Sequence, residues 1–340
     1  MQEQTVTKTN QFSRRTILLI AAFAAVYIFW GSTYLAIKYA IETLPPFLMA
    51  GSRFLIAGSI LYVWARLSKD YEKPTFAHWR TSFIVGTLLL LGGNGCVVFA
   101  EHHISSSLAA LLVATEPFWI VLLTWLWLGG IRPNWKVALG LLVGFVGVYL
   151  LIGGQSSTTT VADANGSGQL LGAFLVIFGA FCWALGSIYG VRATTPKSSL
   201  LTSGMQMLSG GFVLLLVGTL TGEWSKFNIA DVSTNSWLAF VYLIIFGSLV
   251  GFTAYSWLLK NAQPAMVATY AYINPVVAVL LGWLIAGESF TVQMLVGASV
   301  IVGSVVLITS QGKKENSEQK SEIHQSNTAQ KNCKPLSASA

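Results

Sequence analysis

The sequence is short of charge. Of 340 residues, 20 are Lys or Arg, 13 are Asp or Glu and four are His, so charged side chains make up 10% of the chain, where a soluble domain carries roughly 25%. With 54% hydrophobic residues and a mean hydropathy of +0.64, the chain cannot hide its apolar surface in water. Cysteine is nearly absent as well. Cys96, Cys182 and Cys333 have no metal-like spacing; two fall in apolar runs and one in a polar tail, so neither a disulfide nor a bound metal is expected. Histidine is too sparse for a catalytic or metal centre. The one cluster is Glu101-His102-His103, and adjacent helical positions point in different directions, whereas a metal needs three or four converging ligands. It reads as a capped, polar helix end. No nucleophile with a base is found, and the segments between apolar runs leave no room for a soluble catalytic domain, so the chain is not expected to be an enzyme.

What is present is ten apolar runs of membrane length, at 17–37, 47–67, 81–100, 107–128, 134–152, 169–190, 200–221, 237–259, 265–286 and 290–310. About 20 residues are needed to cross the hydrocarbon as a helix, and isolated runs this long satisfy every backbone group only as helices. The expected fold is all-α and integral to the membrane, with the lipid bilayer as its first partner. Ser13-Arg14-Arg15-Thr16 before the first run faintly resembles a twin-arginine export signal, but that run is of full span length and nothing after it looks like a secreted domain.

The runs fall into two copies. An offset of 158 carries Ala114-Thr115-Glu116-Pro117 onto Tyr272-Ile273-Asn274-Pro275, Ala110 onto Ala268, Phe99 onto Trp257 and Gly93 onto Gly251. Earlier in each copy, Trp30-Gly31-Ser32-Thr33-Tyr34 resembles Trp183-Ala184-Leu185-Gly186-Ser187-Ile188-Tyr189 with a slip of two, and Met49-Ala50-Gly51-Ser52-Arg53 resembles Thr202-Ser203-Gly204-Met205-Gln206. Five spans per copy is odd, so the second copy enters the membrane from the opposite side. The expected organisation is a cytoplasmic segment 1–16, a first five-helix repeat 17–153, an extracytoplasmic loop 154–168, a second repeat 169–310 and a disordered cytoplasmic tail 311–340. An inverted pair of bundles is a recurrent architecture of secondary transporters. Orientation follows from the cations: with the N-terminus inside, seventeen Lys and Arg fall on inner segments and two, Lys38 and Lys226, on outer ones. The net charge of +7 is therefore topological and offers no argument for nucleic-acid binding.

Charges inside a bilayer are candidate functional groups. Glu116 stands near the middle of the fourth span before Pro117, and its repeat mate Asn274 stands before Pro275. Both prolines are expected to kink their helices, placing a polar side chain beside exposed carbonyls, either on a solute path or as a bridge between helices. Arg53 lies ~10 Å into the second span; a solute carboxylate or a fixed helix partner would each satisfy it, and Gln206 is its mate. Lys38 can snorkel to the headgroups. Trp30, Ser32, Tyr34, Trp183, Ser187 and Tyr189 offer rings with polar tips, suited to a cavity or to an interfacial belt. Gly92-Gly93-Asn94-Gly95 makes the third span thin and polar on one side. Gly140, Gly144 and Gly147 read as packing positions, within the monomer or at a homodimer contact.

At these residues the chain resembles the EamA branch of the drug/metabolite transporter superfamily. The resemblance rests on Trp30-Gly31-Ser32, Arg53-Phe54, Glu116-Pro117 and Asn274-Pro275, in order, across Ile17 to Ser310. It implies a bacterial inner-membrane permease, often an exporter of amino acids or related metabolites, with a central cavity formed by helices one to four and six to nine. The expected function is alternating-access transport of a small polar or amphipathic metabolite, amino-acid-like or anionic. The expected path is lined by Trp30, Ser32, Tyr34, Arg53, Asn94, Glu116, Trp183, Gln206, Tyr270 and Asn274. No cofactor is expected, with proton coupling through Glu116 an open question. The rivals are an exporter of cationic drugs, which would use Glu116 directly, and, from another class, a membrane-embedded enzyme or receptor.

Overall fold

A computed structural model describes residues 3–69, 71–101, 103–104, 109, 112–128, 134–153, 167–286 and 291–308. The expected loop 154–168, save its last two residues, and the whole tail 311–340 lie outside the described residues, as do His102 and Cys333. Among the described residues all regular structure is helical. In chain order the apolar helices are α1 Arg14–Ile41, α2 Pro46–Leu67, α3 Phe76–Ala100, α4 Glu116–Trp127, α5 Trp135–Leu150, α6 Leu170–Arg192, α7 Ser199–Leu220, α8 Thr234–Asn261, α9 Pro264–Leu281 and α10 Val292–Ile308. Seven of these are long and apolar enough to cross a membrane; α4, α5 and α10 are shorter.

The helices wear apolar side chains outside and keep their polar ones inside. Ile56, Ile60, Val63 and Trp64 on α2, and Leu139, Leu142 and Val146 on α5, are exposed, whereas Arg53, Glu116, Gln206 and Asn274 are buried. In water such a surface would drive association; in hydrocarbon it costs nothing, and the buried polar groups become the informative ones.

With lipid as apolar as leucine, helices associate through close packing, which favours small residues at contacts. An extensive seam joins α2 and α7. A Cβ at Gly51 would lie 3.0 Å from the Gly211 carbonyl oxygen, and one at Gly58 3.0 Å from that of Gly204. Since the partner numbers fall as the α2 numbers rise, the two helices run antiparallel. The contacts are reciprocal: a shift of 153 carries Gly51 onto Gly204 and Gly58 onto Gly211, so the two contacts exchange under one local two-fold relation. Gly86 of α3 and Gly210 of α7 approach more closely still. The glycines of α5 face α10 of the same chain, with Gly140 against Ile308, Gly144 against Ser304 and Gly147 against Ile301.

Three helices loosen into π-helical turns, at Val26–Trp30 in α1, Thr87–Gly95 in α3 and Leu243–Phe252 in α8. An i→i+5 turn inserts a residue into the helix and turns the side chains beyond it, and such turns gather at functional sites. The α3 and α8 stretches nearly superpose under the 158 shift, which carries 87–95 onto 245–253. Each receives a tryptophan. A Cβ at Gly93 would fall 2.6 Å from the Trp183 ring, and one at Gly251 would collide with the ring of Trp30.

Candidate functional site

The π-helical turns end where the helices part. Between them lies a central cavity of about 110 Å³ with walls from α1, α2, α3, α4, α6, α8 and α9. Arg53 and Phe54 come from α2, Gly93 and Asn94 from α3, Glu116 from the start of α4, and Tyr270 and Asn274 from α9. Trp30, Thr33 and Tyr34 line it from α1, and Gly179, Ala180 and Trp183 from α6.

The two ionisable groups of opposite sign do not bond to one another. Arg53 is 3% exposed; one guanidinium nitrogen donates to Asn94 Oδ1 at 3.0 Å, its guanidinium carbon lies 4.3 Å from the centroid of the Phe54 ring, and its Nε makes no hydrogen bond. Glu116 is 2% exposed. The Tyr270 hydroxyl donates to Glu116 Oε2 at 2.5 Å, while Oε1 has no partner. Asn274 Oδ1 is likewise buried without a bond. A buried polar atom left unpaired costs ~1–3 kcal/mol, more when charged, so three at one cavity are a concentrated expense for stability alone. Their residues line the cavity, while the three atoms themselves have almost no accessible surface, so a guest meets them only as the side chains turn toward it.

The chain is broken on the way to both polar mates. Ala114 and Thr115 form a turn and the helix resumes at Glu116, which places Pro117 in a first turn, where its missing N–H is no loss. This differs from the expected kink inside one span from 107 to 128, part of which lies outside the described residues. In α9 the break comes earlier, at Ala268 and Thr269, and Pro275 stands inside the helix that follows.

A floor of aromatic rings closes the cavity at one end. Trp30 meets Trp183 edge-on at 5.4 Å, Tyr255 at 5.0 Å and Tyr270 edge-on at 5.0 Å between ring centroids. The pairs are polar-locked too. Trp30 Nε1 donates to the Gly247 carbonyl at 3.0 Å, Trp183 Nε1 donates to the Tyr255 hydroxyl at 3.0 Å, and Ser187 Oγ lies 2.6 Å from that same hydroxyl. Beyond the floor is a second cavity of about 380 Å³, lined by Ser187, Tyr255, Gln206, Ser256 and Lys260 among others. Trp183 therefore faces the first cavity and its partner Tyr255 the second.

Of the ten residues singled out in sequence, the structure brings eight to the central cavity: Trp30, Tyr34, Arg53, Asn94, Glu116, Trp183, Tyr270 and Asn274. Gln206 lines the second cavity instead. Ser32 lines neither; its hydroxyl donates to the Phe29 carbonyl at 2.7 Å and meets the Tyr242 hydroxyl at 2.5 Å, tying α1 to α8. Sequence reasoning missed Tyr255, although it stands one helical turn beyond Gly251, and missed the Tyr27 hydroxyl that meets Thr269 Oγ1 at 2.6 Å beside the α9 break. At the end of α3, His103 packs on the Phe99 ring at 5.4 Å and both Glu101 carboxyl oxygens are without bonds. Among the described residues no three His, Cys, Asp or Glu side chains gather as a metal set.

Residues 16–153 and 170–310 each match the EamA-like transporter family. The chain is 38% identical over 297 residues to the inner membrane transporter YedA of Escherichia coli K12, which covers 87% of this chain and 92% of that protein. It is 28% identical over 302 residues to the transporter YvbV of Bacillus subtilis strain 168, covering 88% and 93%. A crystal structure of 20% identity superposes with a TM-score of 0.68 over 89% of this chain and 98% of that one, a likeness of fold.

Proposed function

The chain belongs to the EamA-like transporter family, and from that premise we infer that it is an alternating-access carrier of a small polar or amphipathic metabolite, amino-acid-like or anionic. Its frame is ten transmembrane helices in two inverted repeats of five. The two separate family matches, the antiparallel α2–α7 seam and the exchange of its glycine contacts all support that division. Both termini lie on the cytoplasmic side of a bacterial inner membrane; the seventeen-to-two cation asymmetry supports the orientation, and the likeness to the inner membrane transporter YedA supports the membrane. In this orientation the central cavity opens toward the outside and the second toward the cytoplasm.

The observation that carries the reading is the convergence of Arg53, Glu116 and Asn274, each with a buried side-chain atom that has no partner, at one cavity walled by both halves. Arg53 grips the anionic group of the solute, Trp30, Tyr34 and Tyr270 pack on its apolar part, and Glu116 answers to a proton or to an ammonium. The ring floor of Trp30, Trp183, Tyr255 and Tyr270 separates the solute from the cytoplasm until the halves rock.

Solute counterflow tests this. Purified protein in liposomes preloaded with an unlabelled amino acid or dicarboxylate should draw in the labelled compound above its equilibrium level, because a carrier exchanges bound solute across the bilayer. Absence of counterflow for every compound that stabilises the purified protein would sink the carrier reading.

A further inference from the structure

We propose that the second cavity is a solute site of its own, for small hydrophilic organic anions that enter from the cytoplasm and bind before the ring floor opens. The inference rests on the carrier reading for its direction, but the site is argued from its own walls.

Two side chains are aimed into this cavity with nothing to bond. Gln206 is 5% exposed and Ser256 7% exposed; both line the space, and among the described residues neither side chain has a hydrogen-bond partner. The Gln206 amide lies seven residues inside α7, ~10 Å from its start, too deep for headgroups to reach it casually. Together the amide and the hydroxyl present donors and acceptors to a polar guest in a cavity they line. The Ser187–Tyr255 pair supplies the floor.

Positive charge stands at the mouth. The Lys260 ammonium donates to the Pro196 carbonyl at 2.8 Å and to Thr202 Oγ1 at 3.1 Å, so its partners there are neutral acceptors that hold the amine in place without cancelling its charge. Lys197 lines the same rim. The acid of the neighbourhood is Glu72, which accepts from the backbone nitrogen of Lys197 at 3.1 Å and acts on Lys260 through space, so it offsets part of the positive charge without bonding to the amine. A guest anion would complete Lys260 as Asn94 does not complete Arg53.

The two cavities also select by different chemistry. The central one is walled by Trp30, Trp183 and Tyr270 and suits a guest with an apolar part. The second takes Tyr255 as its lone aromatic among the described residues that line it, and beside aliphatic side chains such as Val85, Leu89 and Leu259 it offers amide, hydroxyl and ammonium groups. The polar part of the guest meets the amide and hydroxyls, with the anionic group held at the rim by an ammonium point charge.

Thermal unfolding of the full chain in neutral detergent tests the site. Succinate and inorganic phosphate serve as probes against chloride at equal ionic strength, since a ligand that binds the folded state stabilises it by mass action. One or both probes should raise the melting temperature saturably, and the difference between them assigns carboxylate or phosphate. Gln206→Leu, which leaves every lysine in place, and Lys260→Gln, which keeps a donor for the Pro196 carbonyl, should each weaken the apparent affinity at least about tenfold. Arg80→Gln, an equal loss of charge on the same side, should leave it within about twofold. No saturable effect of either probe overturns the proposal, as does equal weakening by Arg80→Gln. If phosphatidylglycerol alone reproduces the stabilisation and succinate and phosphate add nothing, the rim holds a lipid headgroup and the proposal fails. Loss in Arg53→Gln with none in Gln206→Leu moves the anion to the central cavity, which overturns the second site while the carrier reading stands on its counterflow.

Discussion

The two cavities lie one layer of rings apart and meet through residues that are mates in sequence, yet they offer opposite chemistries. Trp30 and Trp183 correspond under the 153 shift, and each fits over a glycine of the opposite half, Gly251 and Gly93. Their N–H groups then diverge. Trp30 donates to the Gly247 carbonyl, which belongs to the backbone, and Trp183 to the Tyr255 hydroxyl, which belongs to a side chain. Likewise Arg53 enters the central cavity while its mate Gln206 enters the second. Where helices touch helices the halves repeat one another; where they face open space they differ. Packing is set by backbone approach and tolerates little change, whereas a cavity wall is free to take on a solute's chemistry.

The first way to break that comparison is at the seam. Gly51→Leu and Gly204→Leu place the same bulk at corresponding positions of α2 and α7, and each should cost about 3 kcal/mol or more through overpacking. Melting temperatures of the two purified variants should fall by similar amounts. A large drop in one with none in the other would show that the seam is not a symmetric contact.

The cavities should respond unequally. Arg53→Lys keeps a positive charge but loses the planar fork, and Arg53→Ala removes both; each should lower uptake of the transported solute at least about tenfold, the ~1.4 kcal/mol or more of a charge-assisted bond. Near-normal flux in a folded Arg53→Ala protein would remove Arg53 from the path. Glu116→Gln retains a hydrogen-bonding group for Tyr270 but can neither take up nor release a proton. Solute exchange should persist while any dependence of uphill uptake on a proton gradient disappears; a glutamine variant that still concentrates solute along the gradient would return Glu116 to a structural bridge with Tyr270.

Ser32→Ala should have the smallest effect. Its hydroxyl ties α1 to α8 and faces neither cavity, so about 1 kcal/mol of stability should be lost with the KM for uptake unchanged. A raised KM would place Ser32 on the path after all.

Much of the central cavity was legible because charged and amide groups inside apolar runs are rare enough to stand out one at a time. Arg53, Asn94, Glu116 and Asn274 each interrupt a hydrophobic stretch, and each lines the cavity. The direction in which less conspicuous side chains point was not legible. In a soluble helix the polar stripe marks the outer face, but here the lipid face and the packed face are equally apolar, so periodicity does not tell Ser32 from Thr33, of which only Thr33 reaches the cavity. The π-helical turns add to this, since each one rotates everything beyond it by an amount the amino acids do not announce. Tyr255 lies just beyond such a turn, at Leu243–Phe252. The break at Ala114 and Thr115 was open to the sequence, since a proline suits a helix's first turn as well as it makes a kink, and the two readings place the helix start differently.

The central claim is that one chamber communicates with both sides of the membrane in turn, across a floor held by the Tyr255 hydroxyl. Thr33 lines the central cavity, so Thr33→Cys, in a chain whose Cys96, Cys182 and Cys333 are replaced by serine, reports access to it. An impermeant thiol reagent should react with this cysteine from the outer side and, more slowly, from the cytoplasmic side in inverted vesicles. Adding Tyr255→Phe, which removes the bonds to Trp183 and Ser187, should raise the cytoplasmic rate up to about tenfold, the worth of roughly 1.4 kcal/mol of lost hydrogen bonding. Labelling from one side alone, with and without the Tyr255 hydroxyl, would contradict alternating access through this cavity.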